Sequence, residues 1–140
     1  MKKLLRNILF CVALSACVFL LASCSGGIKG ADAKAHIQEF FAAIGSEDYS
    51  KANSLLHPER PADMKSFFES IEAAKSIDFQ EGIQIKRYTG FSSAVYDGTV
   101  KGATYALTMQ VTVGNKNMEF TIEIVRNDAG FGIYNIHLND

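Results

Sequence analysis

The sequence predicts an α+β domain whose N-terminal helices pack on one face of a curved antiparallel meander sheet. Three observations lead there. Apolar residues from position 37 to 71 recur at helical spacing, and those from 105 to 124 alternate at strand spacing. The two patterns also follow one another without mixing, as helices gathered on one face of an antiparallel sheet require.

Ile37, Phe40, Phe41 and Ile44 fall at i, i+3, i+4, i+7, with Asp32 placed to cap the helix and Gly45 to stop it. A second helix over 48–56 carries Tyr49, Ala52, Leu55 and Leu56 on one side. It ends at His57-Pro58, because the residue before proline avoids the α region. A third, over 62–75, lines up Met64, Phe67, Phe68 and Ile71. Strands then read over 77–88 and 93–100, with the turn at Lys101-Gly102 or, in its place, at Asp97-Gly98.

The next two strands are plainer. Tyr105, Leu107, Met109, Val111 and Val113 alternate with polar or small residues, as do Met118, Phe120, Ile122 and Ile124, and Gly114 to Asn117 links the runs. A last strand over 131–138 follows the turn Asn127-Asp128-Ala129-Gly130. Its pairing admits two arrangements. An unbroken ladder turns Asn135 and His137 inward, whereas one extra residue near Tyr134 turns Ile136 and Leu138 inward instead. The bulge is favoured, since burying two unpaired polar side chains costs a few kcal/mol each.

Ahead of the helices, Lys2, Lys3 and Arg6 precede the uncharged run ILFCVALSACVFLLA, Ile8 to Ala22. That is a positive segment followed by an apolar core of signal-peptide length, short of the ~20 residues that span a bilayer. Leu21-Ala22-Ser23-Cys24 resembles the bacterial lipoprotein signal, in which the cysteine is acylated and becomes the first residue. The resemblance implies three parts: a signal peptide, 1–23; a lipid-anchored tether, 24–31, at most about 25 Å long between Ser25 and Ala31; and one domain, 32–140. It also implies an exported, membrane-held protein, on the outer membrane of a Gram-negative source or the extracytoplasmic face of a Gram-positive one.

Removing 23 of the 140 residues leaves 117 and takes Cys11 and Cys17 with them, so the remaining thiol is the one that would carry lipid. Disulfide, thiol-nucleophile and cysteine-metal chemistry are then excluded. Three of the 14 Lys and Arg also go while the 15 Asp and Glu stay, a formal charge of −4, and no basic patch suggests nucleic acid.

FFAAIGSEDYSKANSLLHPE, Phe40 to Glu59, and GFGIYNIHL, Gly130 to Leu138, are similar to the small nuclear-transport-factor-2-like domains of cystatin-like cone fold, many of them bacterial lipoproteins. Enzymes of that fold, such as ketosteroid isomerases and scytalone dehydratases, hold acid–base residues between the helices and the inner sheet face. The inner face read here, Tyr105, Leu107, Met109, Val111, Val113, Met118, Phe120, Ile122, Ile124, Phe131 and Ile133, holds no carboxylate and no histidine.

The leading expectation is therefore a non-catalytic envelope lipoprotein that binds a small apolar ligand or an envelope protein partner. Tyr105, Met109 and His137 are its candidate ligand-binding residues. An isomerase- or hydratase-like enzyme using His137 or Asp97 is the alternative, and a structural or inhibitory surface module a third. His36, His57 and His137 lack metal-ligand spacing, and no cofactor is expected. The outer face, with Thr108, Gln110, Thr112, Glu119 and Thr121, is a surface through which related domains pair, so a homodimer through the sheet is a further expectation.

Overall fold

The computed structural model describes residues 27–97 and 101–139; the signal segment and Cys24 lie outside them. Three helices, α1 (Gly30–Gly45), α2 (Tyr49–Ser54) and α3 (Met64–Lys75), precede a 3₁₀ turn at Phe79–Glu81 and a four-stranded sheet. The strands are β1 (Ile83–Asp97), β2 (Lys101–Val113), β3 (Lys116–Asn127) and β4 (Gly130–Asn139). They form an antiparallel meander in the order β1-β2-β3-β4. The α+β class and the helices-then-sheet layout are as the sequence predicts.

Helix α1 starts earlier than expected. Its N-cap is Lys29, and Asp32 sits inside the first turn, where a carboxylate favours the positive end of the helix dipole. Ile28 already packs against the core, and Arg126 Nη1 donates to the Gly27 carbonyl at 3.3 Å. The packed domain thus reaches back to Ile28, and Gly30 and Ala31, expected in the tether, are helical.

Asp48 and Asp63 cap α2 and α3 by accepting from backbone N–H groups one turn in. The Asp63 carboxylate accepts from the Ser66 hydroxyl at 2.6 Å and from the Ser66 and Lys65 N–H groups. These bonds, the Ser66 hydroxyl first, hold its pKa below the ordinary aspartate value. A carboxyl whose folded pKa is depressed stabilises the fold above its unfolded pKa of ~3.9 and loses that contribution as the pH falls through the folded pKa. Asp63→Ala should therefore melt below the parent chain at neutral pH. The gap should close below about pH 4, which thermal melts across the acid range would check.

The two separate strands expected over 77–88 and 93–100 are one strand, β1, which begins only at Ile83, after the 3₁₀ turn. Its apolar residues Ile83, Ile85, Tyr88 and Phe91 do not keep a period of two, and two bulges absorb the difference. The register skips Lys86 and Thr89, so that Ile83, Ile85, Tyr88 and Phe91 stand opposite the inward residues Val113, Val111, Met109 and Leu107. Lys101 and Gly102 belong to β2, paired with Asp97 and Tyr96, so they are not the turn. The alternative turn, Asp97-Gly98, runs into residues 98–100, which lie outside the described residues.

A third bulge falls in β4. Glu123 pairs with Asn135 and Ile124 with Ile133, leaving Tyr134 as the extra residue. Ile122 then faces Ile136 and Phe120 faces Leu138, which join the partly buried rim of the core, while Asn135 and His137 are exposed on the outer face.

The space between the layers is filled by aromatic rings. Phe68 is fully buried and meets Phe40, Phe79 and Phe120 at centroid distances of 5.8, 5.0 and 6.4 Å. Phe41 closes on Phe120 at 5.6 Å. Beneath them Leu107, Met109, Val111, Val113, Ile122, Ile124 and Ile133 are buried on the inner sheet face.

Candidate functional site: a groove beside the β4 edge

The segment joining α2 to α3 does not lie on the helices. It crosses to the edge of the sheet, where the His57 N–H donates to the Ile133 carbonyl (2.8 Å) and the Ile133 N–H to the Leu55 carbonyl (3.0 Å). Leu56 thereby forms a parallel bridge with Ile133. Gly132 makes this approach possible: a Cβ there would stand 2.6 Å from both the His57 nitrogen and the Leu56 carbonyl carbon.

The joint buries His57 completely. Its Nδ1 accepts from the Glu59 N–H at 3.2 Å, so the ring proton sits on Nε2, which donates to Asn127 Oδ1 at 3.0 Å. Asn127 in turn donates to Glu59 Oε2 at 2.8 Å and accepts from the Ala129 and Gly130 N–H groups, so one amide ties the loop to the β3–β4 turn. Both ring nitrogens are engaged and none of the ring meets solvent. This histidine holds the joint, and it has neither a free lone pair nor a free proton to offer a substrate. His36 is half-buried, with Nε2 2.8 Å from the Leu55 carbonyl and its ring in a T-shaped contact with Phe131.

Beside the joint lies a groove of about 390 Å³. Met64, Phe67, Ile133 and Ile136 give it apolar walls, and Arg60, Glu59 and Asn135 rim it. Arg60 lies 5.3 Å from the Tyr134 ring centroid and donates to Asn135 Oδ1 at 3.2 Å. Asn135 passes the connection on to Glu123 at 2.8 Å. The bulge at Tyr134 sets this rim: it swings Asn135 outward toward Arg60 and keeps Ile136 as wall. Such a groove can take an apolar side chain or short apolar segment and pair an acceptor with Arg60. A second groove, of about 480 Å³, has Met118 and Leu138 as its apolar lining residues, with Lys75, Lys86, Gln110 and Glu119 around them.

The candidates from the sequence are dispersed. Met109 is fully buried in the core, and Tyr105 is half-buried near the start of α1, stacked on Phe91. His137 is exposed on the outer face, paired with Thr121, so these three do not line one site. Asp97 ends β1 opposite Lys101. The outer-face residues bond one another across strands: Thr108 to Thr121 (3.0 Å), Arg87 to Gln110 (2.9 Å), Asn139 to Glu119 (2.9 Å). Among the described residues no three His, Cys, Asp or Glu side chains gather to hold a metal, and no helix is long and apolar enough to cross a membrane.

The β4 groove escapes sequence reasoning because its parts are far apart in the chain. His57 and Asn127 are 70 positions apart, and each reads locally as turn chemistry. Compared with known proteins, the chain matches no family model, no curated protein and no solved structure.

Proposed function

We propose that this protein is a bacterial envelope lipoprotein, anchored through Cys24, whose nuclear-transport-factor-2-like domain is a non-catalytic binding module. It engages an apolar segment of a neighbouring envelope protein through the β4 groove. The observation that carries this reading is the filled interior. Among the described residues Phe40, Phe41, Phe68 and Phe79 occupy the space over the inner sheet face, which favours a surface groove over an interior site. There the β4 groove combines apolar walls with the Arg60 cation at its rim, and its volume lies within the range of ligand sites. The engagement of both nitrogens of His57 and the outward position of His137 count against the acid–base alternative.

Photo-cross-linking in intact cells tests it. A photoreactive residue in place of Phe67 or Tyr134 should give a discrete adduct that weakens when Arg60→Glu is added, while one in place of Thr112 on the outer face should not. Equal adducts from all three positions, or none, would defeat the groove as the binding surface.

A further inference from the structure

One apolar side chain has no place in the core or in the groove. Phe91 is 74% exposed, the most open large hydrophobic residue among those described. It stands opposite Leu107, so it continues the inner face onto β1, the strand at the sheet edge. Its ring stacks on Tyr105 at 6.3 Å with an interplanar angle of 13°. Tyr105 in turn lies against the first turn of α1, its hydroxyl so close to Gly30 that a Cβ there would stand 2.7 Å away. The pair, Phe91 exposed and Tyr105 half-buried, is thus next to the point where the chain enters the domain.

The charges around it are mainly positive. Lys34 Nζ lies 4.6 Å from the ring centroid of Tyr88, the preceding inward residue of β1. Arg126 lies over Phe131 and holds the Gly27 carbonyl, and Lys29 is exposed just before α1. Asp32 is the opposing carboxylate in the first helical turn. The chain between Cys24 and the docked Ile28 spans at most about 14 Å. If Cys24 is in the bilayer, this end of the domain is at the headgroups.

We propose that Phe91 and Tyr105 insert into the interfacial layer of the membrane, with Lys29, Lys34 and Arg126 set toward anionic headgroups, and so fix the orientation of the anchored domain. The inference rests on the lipoprotein reading. Tyrosine favours this layer and phenylalanine its boundary with the acyl chains, and nearby cations are attracted to an anionic surface. The domain then stands on the α1 N-terminus and the adjoining part of β1, and lipid alone would leave it free to swivel.

The sequence contains no tryptophan, so Phe91→Trp in the full chain supplies a single indole reporter. The protein, purified from membranes, is reconstituted into vesicles of phosphatidylethanolamine and phosphatidylglycerol, with lipid on Cys24 read separately by mass spectrometry. The expected result is blue-shifted emission, quenched by lipids carrying a nitroxide near the headgroup. Lipidated protein that floats with the vesicles but shows water-like, unquenched emission would overturn the insertion and leave the anchor standing. Blue-shifted emission that nitroxide lipids do not quench would also overturn it, placing a second copy or the chain's own N-terminal segment on the pair. Absence of lipid on Cys24 would instead remove the anchor on which the inference rests.

Discussion

Replacing Gly132 by alanine is expected to destabilise the domain by about 3 kcal/mol or more, beyond the usual 1–3 kcal/mol range of overpacking because the clash is with backbone. The added methyl would meet the His57 nitrogen and the Leu56 carbonyl carbon at 2.6 Å. Neither atom can rotate away, and both belong to the segment held by the His57-to-Ile133 and Ile133-to-Leu55 hydrogen bonds. Relieving the contact means pulling the α2–α3 connection off β4, which also frees His57 from Asn127. The loss should lower the melting temperature by roughly 10 °C for a domain of this size. Gly132→Ala that melts within a degree or two of the parent chain would show that the joint is not as close as described.

Phe68→Ala is the second large effect, expected at about 4 kcal/mol, near the middle of the range for truncating a buried phenylalanine. Phe68 touches the rings of Phe40, Phe67, Phe79 and Phe120, so the hole opens at the meeting of α1, α3, the 3₁₀ turn and the sheet. Because its walls are apolar, the new cavity should stay dry and accept a small hydrocarbon such as benzene. Benzene should raise the melting temperature of Phe68→Ala and leave the parent chain unmoved. Equal stabilisation of both would mean that the parent interior already holds a cavity, and the choice of surface over interior binding would have to be reversed.

How far the fold was legible in the sequence follows from where the periodicity is regular. In α1, β2 and β3 the apolar spacing keeps one period from end to end, and the buried faces of those elements are the ones it marks. In β1 the spacing of Ile83, Ile85, Tyr88 and Phe91 breaks that rule, and only the two bulges restore a common face; a strict strand template divides this element in two. The β4 bulge was legible for an energetic reason, since the unbroken ladder buries Asn135 and His137 while the bulged one buries Ile136 and Leu138. The α1 start was misjudged because an aspartate at position 32 looks like a cap, whereas the helix begins with only backbone at its N-cap.

The site was less legible. Nothing local in HPERPAD or in NDAG says that the two meet, and the clue, a glycine between Phe131 and Ile133, acquires its meaning only once the Leu55–His57 backbone is seen passing over it. Alternation likewise marks Tyr105 and Met109 as inward without telling which end of the inner face the helices cover. The structure separates them: Met109 is fully buried in the core, while Tyr105 is half-buried against the first turn of α1, stacked on the exposed Phe91.

The proposed anchoring through Cys24 is tested by the intact mass of the protein extracted from the membranes of its source. The account predicts a chain beginning at Cys24 with a diacylglyceryl group on its Sγ, and no such species from Cys24→Ser. A chain that retains residues 1–23, or one cut elsewhere with Cys24 unmodified, would contradict it.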